Sequence, residues 1–207
     1  MNKTLLQPSR KKTLIKMIIA FLIIVTLCLI LIIKNTYELT YPNGLGLSQE
    51  LERYKSPTGK YSMLTSAKWT VFDLAHGDHG DKDIVTVMSS PWLSIQVMVA
   101  RKLFDSNSIN DVVLWGEAKA RQSKLGYYEI QNFPLSGSQG GIVYEYTKDI
   151  QLPIAKLEWG SSSYHCYDAY LIEDNYGYRF SFCSVEKIWV DAENLFLKLI
   201  ESIELNK

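Results

Sequence analysis

Seventeen consecutive positions, Met17 to Ile33, are apolar except for Thr26. At a helical rise of about 1.5 Å per residue they cover roughly 26 Å, and residues 14–16 extend the helix so that the Lys16 ammonium reaches the headgroups. The pattern predicts a transmembrane helix over 14–33. A cleaved signal peptide competes, because Lys3, Arg10, Lys11, Lys12 and Lys16 form a basic leader before the run. The run is longer than the usual apolar region of about 7 to 15 residues, and residues 34–39 offer no small-x-small cleavage site. Cys28 follows bulky Leu27 and lies within the apolar run, which disfavours a lipoprotein signal. Five basic residues before the span against one directly after it place the N-terminus in the cytoplasm and residues 35–207 outside.

Beyond the span the period shortens. Residues 1–13 form a cytoplasmic tail too small to fold. A tether is expected over 34–53, marked by Pro42, Gly44 and Gly46, with a short turn of helix around 48–54, and the folded domain over 54–207. Within it, 61–65, 69–74 and 84–88 read as strands. Leu93, Ile95, Val97 and Val99 alternate with Ser94, Gln96, Met98 and Ala100, the period of a strand with one face more deeply buried.

The period then becomes helical. Ser106, Asn107 and Ser108 offer capping side chains ahead of Ile109, Val112, Val113 and Ala120, and Gly126 supplies a stop, so 109–125 is expected to be helical. Strands follow at 127–133, 142–148 and 154–159, then a hairpin over 164–184. A last helix, capped by Asp191, carries Leu195, Phe196, Leu199, Ile200 and Ile203 on one stripe. Two helices are too few to cover both faces of about eight short strands joined mainly by tight loops. The expected class is therefore α+β, an antiparallel sheet with packed helices, behind one transmembrane helix.

Charge changes the picture once the span is set apart. The whole chain has 22 basic and 22 acidic side chains, but residues 1–34 hold six basic and no acidic ones, leaving 16 against 22 outside. An outer domain with a net charge near −6 lacks the basic footprint of a nucleic-acid or anionic-lipid binder.

The run Tyr54-Lys55-Ser56-Pro57-Thr58-Gly59-Lys60-Tyr61-Ser62, leading to Ser66-Ala67-Lys68-Trp69-Thr70-Val71, resembles the start of PsbP-like domains, where a tyrosine-bearing strand turns into a W-x-V strand. The strand ending at Arg101, the central helix, the aromatic hairpin from Tyr167 to Phe182 and the closing helix from Phe196 to Ile203 agree in order. The likeness covers about residues 54–205. It implies the fold shared by a photosystem II extrinsic subunit, the Ran-binding nuclear import factor and envelope proteins of the DcrB type. Such domains act as binding or assembly modules without common catalytic residues, so the resemblance assigns no site residue. An anchor in place of a cleaved thylakoid targeting peptide sets this chain apart from the photosynthetic members.

Candidate chemistry is sparse. The loop from His76 to Asp83 gathers two imidazoles, His76 and His79, with Asp78 and Asp81 between and beside them. These are metal-ligating residue types without a recognised spacing, and a solvated loop with local Asp bonds is the plainer reading. No cofactor is expected other than a divalent metal there. The segment 136–141, Ser-Gly-Ser-Gln-Gly-Gly, lacks a following Gly-Lys-Ser/Thr and any G-x-S-x-G, so it reads as a hairpin connection. His165 opens a strand, with Ser162 and Ser163 in a turn, and reads as a sheet residue with a satisfied ring nitrogen. Tyr164, Tyr167, Tyr170, Tyr176 and Tyr178 suit either a glycan- or peptide-binding cluster or ordinary sheet packing.

Cys166 and Cys183 are the cysteines outside the span. A two-residue Asp174-Asn175 turn would set them opposite each other, with Tyr167, Ala169 and Leu171 against Phe182, Phe180 and Tyr178 on one face and Asp168 and Tyr170 against Ser181 and Arg179 on the other. A register moved by two, around Asn175-Tyr176, keeps that sorting but separates the cysteines. The first register brings them within disulfide range in a compartment that permits oxidation. The sequence is thus read as a binding or accessory module of the bacterial envelope rather than an enzyme. It is held in the plasma membrane by residues 14–33 and serves an envelope protein partner or an extracellular ligand. The alternative is a metal-dependent hydrolase or metal sensor at His76 and His79.

Overall fold

The computed structural model describes residues 8–40, 50–74, 83–90, 94–122, 126–135, 140–151 and 161–206. The chain divides into two compact units, residues 1–41 and 42–207. The first is the helix α1, Pro8–Thr40, whose stretch Ile15–Ile32 is long and apolar enough to cross a membrane and has none of its residues buried against protein. Helix continues through 34–40, a stretch the sequence pattern gave to the tether.

The second unit begins with a strand, β1 (Leu51–Lys55), where the pattern suggested a turn of helix. Pairing decides this local conflict. Leu51 and Tyr54 pack on the core, and β1 aligns antiparallel with β2 (Tyr61–Ser66) across the turn at Gly59, whose φ of 68° suits a residue without a Cβ. A two-residue strand, β10 (Glu204–Leu205), closes the other side of β2, giving a three-stranded sheet ordered β1-β2-β10.

Seven further strands form the main sheet. They are β3 (Thr70–Asp73), β4 (Ile84–Ser89), β5 (Ile95–Leu103), β6 (Tyr127–Pro134), β7 (Ile142–Gln151), β8 (Ser161–Glu173) and β9 (Tyr176–Val185), in the order β3-β4-β5-β9-β8-β7-β6 with every neighbour antiparallel. The alternation along β5 holds from Ile95 to Val99, with Ile95, Val97 and Val99 fully buried and Gln96 and Met98 half-buried, but Ala100, expected on the more open face, is buried as well. Ser162 and Ser163 lie within β8, where a turn was expected. The strand expected over 154–159 lies outside the described residues.

The two helices divide the main sheet between them. Helix α3 (Trp189–Glu201) and the small sheet cover one face, where Phe180, Phe182, Phe196, Leu195 and Leu199 form the principal core. Helix α2 (Ile109–Gln122) lies on the opposite face, its Val112 and Val113 against Tyr170. The expectation that two helices could not reach both faces is thus corrected. The three-stranded sheet supplies the missing cover on the α3 side. Asp191 does not cap α3. The cap position is Ile188 without a side-chain bond, and Asp191 stands in the first turn, where its charge still faces the positive end of the helix.

Asp174 and Asn175 have φ of 50° and 63°, as a two-residue turn between β8 and β9 requires. The register pairs Cys166 with Cys183, and the two form a disulfide with Cα atoms 4.2 Å apart.

Candidate functional site

A pocket of about 310 Å³ opens where the small sheet meets the β3-β4-β5 edge of the main sheet. The β1–β2 turn brings Ser56, Pro57 and Thr58 to its rim, while Asp73, Thr86 and Arg101 reach it from three adjacent strands. Leu74 and Val85 supply apolar walls and Tyr61 lies at its base. The Tyr61 ring is held edge-on to Phe180, 5.4 Å between centroids, so the base is part of the core. Apolar walls with a few convergent polar groups are the usual make-up of a small-ligand site.

The polar groups are fixed by one chain of hydrogen bonds. Thr86 Oγ1 donates to Asp73 Oδ1 at 3.1 Å, and the Tyr54 hydroxyl donates to the same carboxylate oxygen. The single Thr86 proton being used, the Tyr61 hydroxyl, 2.5 Å from Thr86 Oγ1, is the donor in that pair. Burial, then the Asp73 acceptor, pushes the Tyr54 phenol up to about 12, and burial raises Tyr61 further. Both phenols therefore serve as hydrogen-bonding groups rather than bases. The Arg101 guanidinium lies over the Tyr176 ring, 4.9 Å from its centroid.

A second cluster surrounds His165. Its ring stacks on Trp189 at 3.7 Å, Nε2 is 2.8 Å from Glu145 Oε1, and Nδ1 is 3.3 Å from Glu186 Oε2. Gln131 Nε2 donates to the other Glu145 oxygen at 2.5 Å. Nε2 is hydrogen-bonded to its carboxylate, whereas Nδ1 lies near the Glu186 carboxylate without the geometry of a hydrogen bond; with the ring buried, the arrangement suits anchoring the start of α3 to β7 and β8 better than proton transfer to a substrate. Ser184 stands opposite His165 in the register, but its hydroxyl is fully buried and without a hydrogen-bond partner.

A third group lies beneath α2. Arg179 Nε donates to Asp168 Oδ2 at 2.6 Å, Tyr170 donates to the same oxygen at 3.1 Å and Tyr146 to Oδ1 at 3.2 Å. Burial opposes the Arg179 charge, yet Asp168 and the two phenols hold its pKa above the ordinary value. Burial pulls Lys148 on the same face down, against the pull of Asp168.

His76, Asp78, His79 and Asp81 lie outside the described residues, as does 136–139. Among the described residues no group of three or more His, Cys, Asp or Glu side chains is placed to hold a metal ion. Four of the five hairpin tyrosines, Tyr164, Tyr167, Tyr170 and Tyr178, are buried, and Tyr176 is half-buried beneath Arg101, so the cluster is packing. The pocket residues were not anticipated. One signal pointed to Arg101: it continues the buried register of Ile95, Val97 and Val99, where a cation is out of place. Tyr61, Asp73 and Thr86 carry no comparable mark.

No protein-family model matches the chain, and no curated protein does either. Solved structures do match. The cyanobacterial PsbP of Synechocystis sp. PCC 6803, CyanoP, superposes with a TM-score of 0.57 at 14% identity, covering 75% of this chain and 92% of its own. The chain has the PsbP/Mog1-like fold. The Ran-binding protein Mog1p of Saccharomyces cerevisiae superposes with a TM-score of 0.52 at 6% identity, covering 76% of this chain and 96% of its own. At such identities the PsbP/Mog1-like likeness concerns backbone architecture.

Proposed function

We propose that the protein is a membrane-anchored binding or accessory module, its PsbP/Mog1-like domain outside the plasma membrane of a bacterium and serving an envelope partner or an extracellular ligand. The observation that carries this reading is the pocket at Tyr61 and Arg101, whose polar groups are held in place by hydrogen bonds before anything binds. Preorganisation of this kind lowers the entropy cost of binding. The disulfide accords with an oxidising compartment, and the apolar N-terminal helix with an anchor. Mog1p, with the same fold, is a Ran-binding protein, so the architecture is compatible with partner binding.

Two measurements test the proposal. Protease added to intact spheroplasts should digest residues 35–207 and spare the N-terminal tail; a C-terminal tag resistant until the membrane is broken would reverse the orientation. A photo-cross-linking residue at Thr58 should capture a discrete partner or ligand in intact cells, and Val85→Trp, which fills the pocket, should abolish capture. Recovery of the protein always uncoupled, with and without Val85→Trp, would remove the binding reading.

A further inference from the structure

Counting donors and acceptors around the pocket identifies what it is built to receive. The Asp73 charge already takes two hydroxyl donors, from Tyr54 and Thr86. The Tyr61 proton is directed to Thr86, and Ser56 Oγ accepts from the Tyr61 backbone N–H at 3.3 Å. Thr58 Oγ1 and Ser56 Oγ, 3.4 Å apart, share one proton between them, so this rim pair keeps one hydroxyl proton for a ligand. Among the described lining residues Arg101 is the one cation; its guanidinium also interacts with the Tyr178 hydroxyl, but no described carboxylate lies at ion-pair distance from it. The described lining therefore offers a guanidinium and one hydroxyl proton of the Ser56–Thr58 pair to a ligand, together with the apolar surfaces of Pro57, Leu74 and Val85.

We propose that this pocket takes a small organic acid, with its carboxylate on Arg101 and the Ser56–Thr58 hydroxyl pair and its apolar body against Pro57, Leu74 and Val85. The proposal rests on the pocket being a binding site, as argued above, and adds the ligand class. A planar guanidinium matches a carboxylate through two parallel N–H bonds, and the Tyr176 ring beneath holds it ready without neutralising its charge. Asp73 fixes the direction of the ligand. It stands two strands from Arg101, roughly 10 Å across the sheet at the usual strand spacing, so a carboxylate on the Arg101 side avoids it. The volume, about 310 Å³, is at the small end for ligand sites and suits one ring or a short chain.

The test uses the full chain in zwitterionic lipid nanodiscs and two isosteric probes, benzoate and its neutral amide, benzamide, followed by NMR of the arginine side-chain N–H groups. Benzoate should shift the Arg101 signal saturably and bind at least tenfold more tightly than benzamide. Arg101→Met should erase that preference, whereas Lys198→Met on α3 should keep it. Equal affinity for the two probes in the unaltered protein would overturn the carboxylate assignment while leaving a pocket that binds. No shift at any pocket residue up to saturating benzoate would also overturn it, and cross-linking at Thr58 would then judge the binding reading separately. The comparison of probes needs no variant, so a failure of Arg101→Met to fold leaves the outcome decided.

Discussion

Along the β8–β9 hairpin, Tyr167, Ala169 and Leu171 meet Phe182, Phe180 and Tyr178 toward α3, while Asp168 and Tyr170 meet Ser181 and Arg179 toward α2. Both faces are buried: Phe180 and Asp168 are each 0% exposed. The first face is held by area removed from water and by ring contacts such as Phe182 with Phe196 at 5.8 Å. The second is held by a charge pair whose remaining lone pairs are met by two phenols, beside a covalent bridge. Apolar packing is forgiving because volume can be approximated by many side chains. An ion pair out of water is not, because removing either partner strands the other.

The largest expected effect follows from that asymmetry. Arg179→Met should cost about 3–5 kcal/mol by leaving Asp168 charged and unpaired, whereas the volume-conserving Leu171→Met on the other face should cost under about 1.5 kcal/mol. Denaturant melts of the two variants measure the contrast, and similar losses would dissolve the distinction between the faces. Replacing Asp168 and Arg179 together by apolar residues should recover much of the single-variant loss, since the cost lies in the stranded charge.

Opening the disulfide with Cys166→Ala and Cys183→Ala should lower stability by about 3 kcal/mol at most, the loop-closure entropy of 18 residues, and by less if the hairpin keeps local order when unfolded. Thiol titration of the denatured, non-reduced protein should find only Cys28; three thiols would contradict the bond.

A steric probe of the α2 face comes next. Gly116 lies against the Tyr170 ring, where an added Cβ would overlap ring atoms. Gly116→Ala should cost about 1–3 kcal/mol despite alanine's better helix propensity, because the ring that must move is the one bonded to Asp168. A stabilised variant would show that the contact is loose.

The smallest effect belongs to the pocket and concerns alkaline pH. The Tyr54 phenol is raised to about 12 in the folded protein against about 10 unfolded, so the folded state binds more protons between those values and its stability should fall as pH rises through that window. Tyr54→Phe should make that part of the profile shallower, the remaining slope belonging to other raised phenols such as Tyr127, read from melts between pH 9 and 12 and from phenolate absorbance. An unchanged profile would remove the Asp73 hydrogen bond and burial as the cause.

The alternation along β5, the period of α2, the stripe on α3 and the two-residue hairpin turn were legible in the chain, because each depends on neighbours a few positions apart. The cysteine alignment needed one further choice. Two registers sorted the faces equally well, and the φ of Asp174 and Asn175 settles on the one that joins the cysteines. The sequence also led to the PsbP/Mog1-like architecture, through the order of packing motifs. Local pattern was misleading at β1, since a strand that exists through pairing with β2 has no period of its own over five residues.

The pocket was of the same kind. Tyr54, Tyr61, Asp73, Thr86 and Arg101 span nearly fifty positions in sequence and meet only once two sheets have formed and closed against each other. Amino-acid pattern by itself determined an N-terminal helix long and apolar enough to cross a membrane, an antiparallel α+β domain and most of its elements, since the burial of apolar surface acts on every residue of a periodic segment and leaves its mark on each. Tertiary structure alone decided that Asp168 and Arg179 are buried together and that Arg101 stands over Tyr176 at the mouth of a pocket. The interaction of a single polar side chain with a partner distant in sequence depends on where the backbone finally lies, and it imposes no repeat that could be read beforehand.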